Sequence, residues 1–73
     1  MRAVKGKNDV MCFISTTEGK VYNMIAAEQF TNQTTLNERE VYMAEEMYKR
    51  NAVRKVRYQD NIGYRAYDQN KNV

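Results

Sequence analysis

The chain contains no histidine, no tryptophan, no proline and one cysteine. Without histidine, the side chain most often used for general acid–base work is missing. Cys12 has no partner for an internal disulfide, and a lone thiol without imidazole makes no zinc set. Neither a metal nor a cofactor is therefore expected. No apolar run approaches the roughly 20 residues of a membrane span, and the N-terminus lacks an apolar signal-peptide core. The expected compartment is reducing and cytoplasmic. Asn32-Gln33-Thr34 spells a glycosylation acceptor, which without a secretory signal reads as a chance match.

Large aliphatic residues are also scarce. Val, Ile, Leu and Phe make up only 13 of 73 residues, close to the level at which chains stop folding. The net charge of +3 is too small to drive disorder, and five Met and six Tyr add apolar area. A chain of this length buries only about 60% of its unfolded surface. The composition implies one lightly cored domain spanning residues 9–68, preceded by a flexible basic arm (1–8) and followed by a frayed tail (69–73).

Val10 to Ile14 is apolar and strand-like. Thr16-Thr17-Glu18-Gly19-Lys20 reads as a turn in which Gly19 takes positive φ, and residues 21–25 as the returning strand of a hairpin. Tyr22, Ile25, Ala26, Gln29 and Phe30 also match helical spacing, so residues 21–30 remain open between strand and helix. The clearest helix signal spans residues 36–50. Thr35 and Glu38 fit a capping box. Leu36, Met43 and Met47 form an apolar row beside Val41, Ala44 and Tyr48, while Glu38, Tyr42, Glu45, Glu46 and Lys49 face away. Glu45 and Lys49 stand in the favoured i, i+4 order. Residues 52–59 alternate, with Arg54, Val56 and Tyr58 on one face and Val53, Lys55 and Arg57 on the other. Asp60-Asn61-Ile62-Gly63 reads as a turn before a last strand at 64–68. The expected fold is α+β: a small antiparallel sheet of two hairpins (β-β-α-β-β) packed on one helix.

Candidate chemistry is thin. Cys12 lies within the apolar run Val-Met-Cys-Phe-Ile and reads as a packed thiol rather than a nucleophile. Glu45 and Glu46 are adjacent, so on a helix they diverge by about 100° and cannot act on one atom. No glycine-rich phosphate loop is present. No enzymatic activity is expected.

Binding residues are plentiful. Residues 49–57 carry five cations and no anion, directly after an acidic stretch. Arg54, Lys55, Arg57 and Arg65 interleave with Tyr58, Tyr64 and Tyr67, residue types that anchor macromolecular contacts. Arg2, Lys5 and Lys7 form a second basic candidate on the arm. Three readings of the basic hairpin stand side by side. In the first the cations solubilise and blunt the sheet edges. In the second they contact nucleic acid, with Tyr stacking on bases. In the third they meet an acidic, partly apolar protein surface. The small net charge and the acidic helix weigh against a large phosphate footprint. Met43 and Met47 read as core.

In type, this short, Asn/Gln/Tyr-rich chain without Pro, His or Trp resembles the small proteins that bacteriophages make to take over host machinery. Among these it is similar to phage transcription regulators, antiterminators and initiation inhibitors that bind host RNA polymerase. Anti-CRISPR inhibitors have the same character. The resemblance lies in size and composition, and no motif residue carries over. It implies a monomeric protein in the bacterial cytoplasm that docks on a large assembly, with nucleic acid as a secondary contact.

Overall fold

The computed structural model describes residues 1–67. Its elements are β1 (Arg2–Lys5), β2 (Met11–Ile14), α1 (Thr16–Ala26), β3 (Thr31–Asn32), α2 (Glu38–Lys49), β4 (Val53–Tyr58) and β5 (Asn61–Ala66). The α+β class is as expected, with two antiparallel sheets, β1-β2 and β3-β5-β4.

The N-terminal third departs from expectation. Residues 2–5 are not a loose arm: they form β1 and pair with β2, Val4 opposite Cys12 and Arg2 opposite Ile14. Residues 16–20 are not a turn: they open the helix α1, which runs on to Ala26 and settles the open choice for residues 21–26 as helix rather than strand. Ser15 sets its start. The Ser15 hydroxyl accepts from the Glu18 amide at 3.1 Å, and the Glu18 carboxylate accepts from the Ser15 amide at 2.9 Å. Two of the four donors left orphaned by the first helical turn are thereby satisfied. Val21, Tyr22 and Ile25 then fall on one buried stripe at helical spacing. Gly19 is helical, with no positive φ.

α2 starts later than the Thr35 signal suggested. Asn37 and Glu40 form its capping box, at 2.8 and 2.9 Å. Thr35 instead closes a short 3₁₀ turn, its hydroxyl donating to the Asn32 carbonyl. Ala44 and Met47 are fully buried on the inner face. The helix ends in a Schellman arrangement: Asn51 is left-handed (φ 66°), the Ala52 amide bonds the Met47 carbonyl at 2.8 Å, and the Asn51 amide bonds the Tyr48 carbonyl at 3.0 Å. This cap also holds the first hairpin. The Lys7 amide donates to the Asn51 carbonyl and the half-buried Cys12 thiol to the Arg50 carbonyl. Gly6 makes the approach possible, since a Cβ there would lie 2.4 Å from the Asn51 carbonyl oxygen.

The second hairpin turns earlier than expected. Gln59 and Asp60, both at positive φ (50° and 67°), form a two-residue turn, and the paired strand starts at Asn61 rather than Tyr64. Two left-handed residues match the right-handed twist of the flanking strands. Gly63 therefore lies in β5, not in a turn. A Cβ there would meet the Thr31 carbonyl oxygen at 2.4 Å and the Phe30 ring at 2.6 Å. Asp68 and the tail 69–73 lie outside the described residues.

One core gathers both helices and both sheets: Val4, Ile14, Val21, Tyr22, Ile25, Leu36, Ala44, Met47, Ala52, Val53, Tyr64 and Ala66. An ion pair from Arg50 to Glu18 ties the end of α2 to the start of α1. Burial works to raise the Glu18 carboxyl pKa, but bonds from Arg50 and Ser15 together outweigh it and hold the group below its ordinary value.

Two glycine substitutions should move stability in opposite directions. Gly63→Ala, against backbone and ring, should cost about 1–3 kcal/mol by overpacking. Gly19→Ala meets nothing closer than Arg2 at 3.8 Å, and should gain about 0.5–1 kcal/mol from helix propensity. Urea denaturation midpoints check both.

Candidate macromolecule-binding face

The strand register decides which side chains share a face. Val53, Lys55 and Arg57 lie opposite Ala66, Tyr64 and Ile62, while Arg54, Val56 and Tyr58 lie opposite Arg65, Gly63 and Asn61. The first set looks toward α2: Val53, Tyr64 and Ala66 are buried. The second set forms the outer face, which neither helix covers.

The inner face removes one expected contact and ties another into an ion pair. Tyr64 has 0% exposure, and its hydroxyl donates to Glu45 at 2.6 Å while accepting from Gln33 at 3.0 Å. Glu45, expected on the solvated side of the helix, is thus an inward anchor. Lys55 completes the group, its ammonium 2.8 Å from the same carboxylate oxygen and 5.6 Å from the Tyr48 ring centroid. Lys49 pairs with Glu46, not with Glu45. Tyr64 therefore supports the sheet from within, whereas Lys55, tied to Glu45, stays exposed.

The outer face keeps what remains. Tyr58 is 58% exposed, Arg54 is exposed, and Arg65 is half-buried. Arg54 stands 5.9 Å from the half-buried Tyr67 ring, within cation–π range. The Arg65 Nε is shielded from solvent without a hydrogen-bond partner. Phe30 and Val56 complete the face, although neither was expected as a contact. Phe30 precedes β3 and lies across the bare backbone of Gly63, bringing its ring to 5.7 Å from Tyr58, tilted by 52°. Gln29, Phe30, Val56, Arg57, Tyr58 and Arg65 bound an open hollow of about 430 Å³. Arg57 reaches it from the exposed β4 edge. None of the side chains that the register places on this face is acidic.

Arg2, Lys5 and Lys7 belong to the other sheet and its loop, and none lines this hollow. The Arg2 guanidinium donates to Asn23 at 2.6 Å and sits 5.2 Å from the Tyr22 ring centroid. Among the described residues, no group of three or more Cys, Asp or Glu side chains is arranged to hold a metal ion. No helix among them is long and apolar enough to cross a membrane. No protein-family model, curated protein or solved structure matches the chain.

Burial, reinforced by the bond to Glu45, pushes the Tyr64 phenol up to about 12 from 10.0. Bonds from Lys55 and then Tyr64 hold the Glu45 carboxyl below its ordinary value. Because the folded state keeps the phenolic proton longer than the unfolded state, Tyr64 contributes stability that is complete below pH 10. That contribution should fade between pH 10 and 12, by on the order of 2–3 kcal/mol. Denaturation across this range should show the loss in the native chain, and the Tyr64→Phe variant should lack this component.

Proposed function

We propose that this is a non-enzymatic binding protein that docks through the outer face of β3-β5-β4 on an acidic, partly apolar surface of a large bacterial assembly. Host RNA polymerase is the foremost partner, and docking would regulate transcription by steric or allosteric means. One observation carries the reading: a sheet face left bare by both helices pairs two aromatic rings with Arg54 and Arg65 and, among the described residues, holds no carboxylate. Apolar rings supply contact area, and planar guanidinium groups take carboxylates in two-pronged bonds. Blunting a sheet edge would not require a ring laid over the central strand, as Phe30 lies over Gly63. A body measuring 30 × 26 × 22 Å has room for a standard interface of about 800 Å² per partner.

A second reading has its own support. Rings beside arginines on an open antiparallel sheet are also a platform for single-stranded nucleic acid, with bases stacking and guanidinium groups meeting phosphates. The acidic side chains of α2 lie on the opposite side of this sheet, so they weigh less against phosphate than the linear charge pattern implied.

Purified bacterial RNA polymerase, captured on the tagged chain, tests the first reading. Tyr58→Ala and Arg54→Glu should each weaken retention by about tenfold or more while leaving the circular dichroism and melting curve unchanged. Absence of capture, or capture equal in both variants, would sink it. If single-stranded oligonucleotides bind instead, with affinity falling steeply with salt and lost in the same variants, the second reading takes its place.

A further inference from the structure

β1 is an edge strand. Among the described residues it pairs only with β2, and nothing outside the hairpin bonds to the backbone of Ala3 or Lys5. The direction of those groups follows from the hairpin. The Gly6 amide donates to the Val10 carbonyl at 2.7 Å, which makes Gly6 and Val10 a bonded pair. Bonded and non-bonded pairs alternate in an antiparallel ladder, so Val4 with Cys12 and Arg2 with Ile14 are bonded as well. The amides and carbonyls of Ala3 and Lys5 therefore turn to the open side.

That side is a built groove. The edge of β1 runs beside α1 and leaves an open channel of about 450 Å³ lined by all of β1, by Met11, by Tyr22, Asn23 and Ala26 of the helix, and by Ala27 just after it. A strand edge facing a helix with small residues between them is the setting in which extended peptides add to a sheet. The charges select the kind of peptide. Arg2 stands at one end of β1 and Lys5 at the other, and among the described residues no acidic side chain lines the channel. Arg2 is held in place by Asn23, so its charge is positioned before anything binds.

The same charges disfavour a second copy. Only the open-side groups of Ala3 and Lys5 can bond a copy, so the fullest antiparallel self-pairing centres on Val4 and sets Ala3 opposite Lys5, gathering two Arg2 and two Lys5 side chains on one ribbon with no carboxylate among them. Cations on an edge are a recognised guard against self-pairing. We propose that the β1–α1 groove binds an extended acidic peptide segment by strand addition, with carboxylates opposite Arg2 and Lys5. This surface is separate from the outer face of β3-β5-β4 and does not depend on the partner assigned there.

A designed probe, acetyl-Thr-Glu-Val-Thr-Glu-Thr-amide, places its two carboxylates opposite Lys5 and Arg2. It would be titrated into the full chain and followed by amide NMR. Saturation should shift the Ala3 and Lys5 amides and slow their hydrogen exchange by about tenfold. The same peptide with Lys in place of Glu should bind at least about tenfold more weakly, and Lys5→Glu should narrow or reverse that preference. Ala3→Pro removes a donor on the open edge but no bond to β2, and should abolish binding with a near-native melting curve. The proposal is overturned if the Ala3 and Lys5 amides stay unchanged, if both peptides bind equally, or if the shifts map to Tyr58 and Arg65. Self-association of the chain through β1 would also overturn it.

Discussion

The inward turn of Tyr64 governs how this protein is built. A strand alternates sides with every residue, so burying one ring decides the direction of all its neighbours. With Tyr64 packed under α2 and bonded to Glu45, Gly63 and Arg65 must point outward, and through pairing so must Arg54, Val56 and Tyr58. A one-residue slip would bury two arginines and expose the phenol, at the cost of desolvating unpaired charge. The Glu45, Lys55 and Gln33 contacts to Tyr64 and to one another give the buried hydroxyl and the carboxylate their partners. The polar network and the exposed face are thus two consequences of one register.

Two close approaches complete the frame. At Gly63 the missing side chain lets Phe30 cross the sheet and reach Tyr58, so a position without a side chain creates the aromatic pair. At Gly6 the missing side chain lets the first hairpin sit against the capped end of α2. The hairpin needs this support, because two strands alone are marginal in water. Once docked, it buries Val4 and Ile14 but leaves Met11 and Phe13 exposed, at 53% and 62%. The domain accordingly presents two distinct surfaces, an open cationic-aromatic sheet face and a cationic strand edge beside a helix.

What could be read in advance was the part dictated by local chemistry. The α2 helix was legible because apolar residues recur at helical spacing over a stretch without glycine or proline. The alternation of β4 was legible because Arg54, Val56 and Tyr58 differ so clearly from the intervening residues. β1 was hidden because Arg-Ala-Val-Lys is too short and polar to announce a strand, and its pairing is settled by contacts distant in sequence. α1 was obscured by Gly19, which looks like a turn residue although Ser15 and Glu18 form a complete capping signal around it. The true turn at Gln59-Asp60 carries no glycine, so Gly63 drew the expected turn three residues downstream. That shift placed Tyr64 among the contacts and concealed Phe30, which joins the face only through the short strand β3.

Chemical accessibility of the tyrosine rings is the most direct test of this arrangement. Nitration of the native chain by tetranitromethane, mapped by mass spectrometry, should modify the exposed Tyr58 and Tyr42 early and leave the buried Tyr64 and Tyr22 untouched until the chain unfolds. Early modification of Tyr64 with protection of Tyr58 would mean that the sheet faces the other way, contradicting the account.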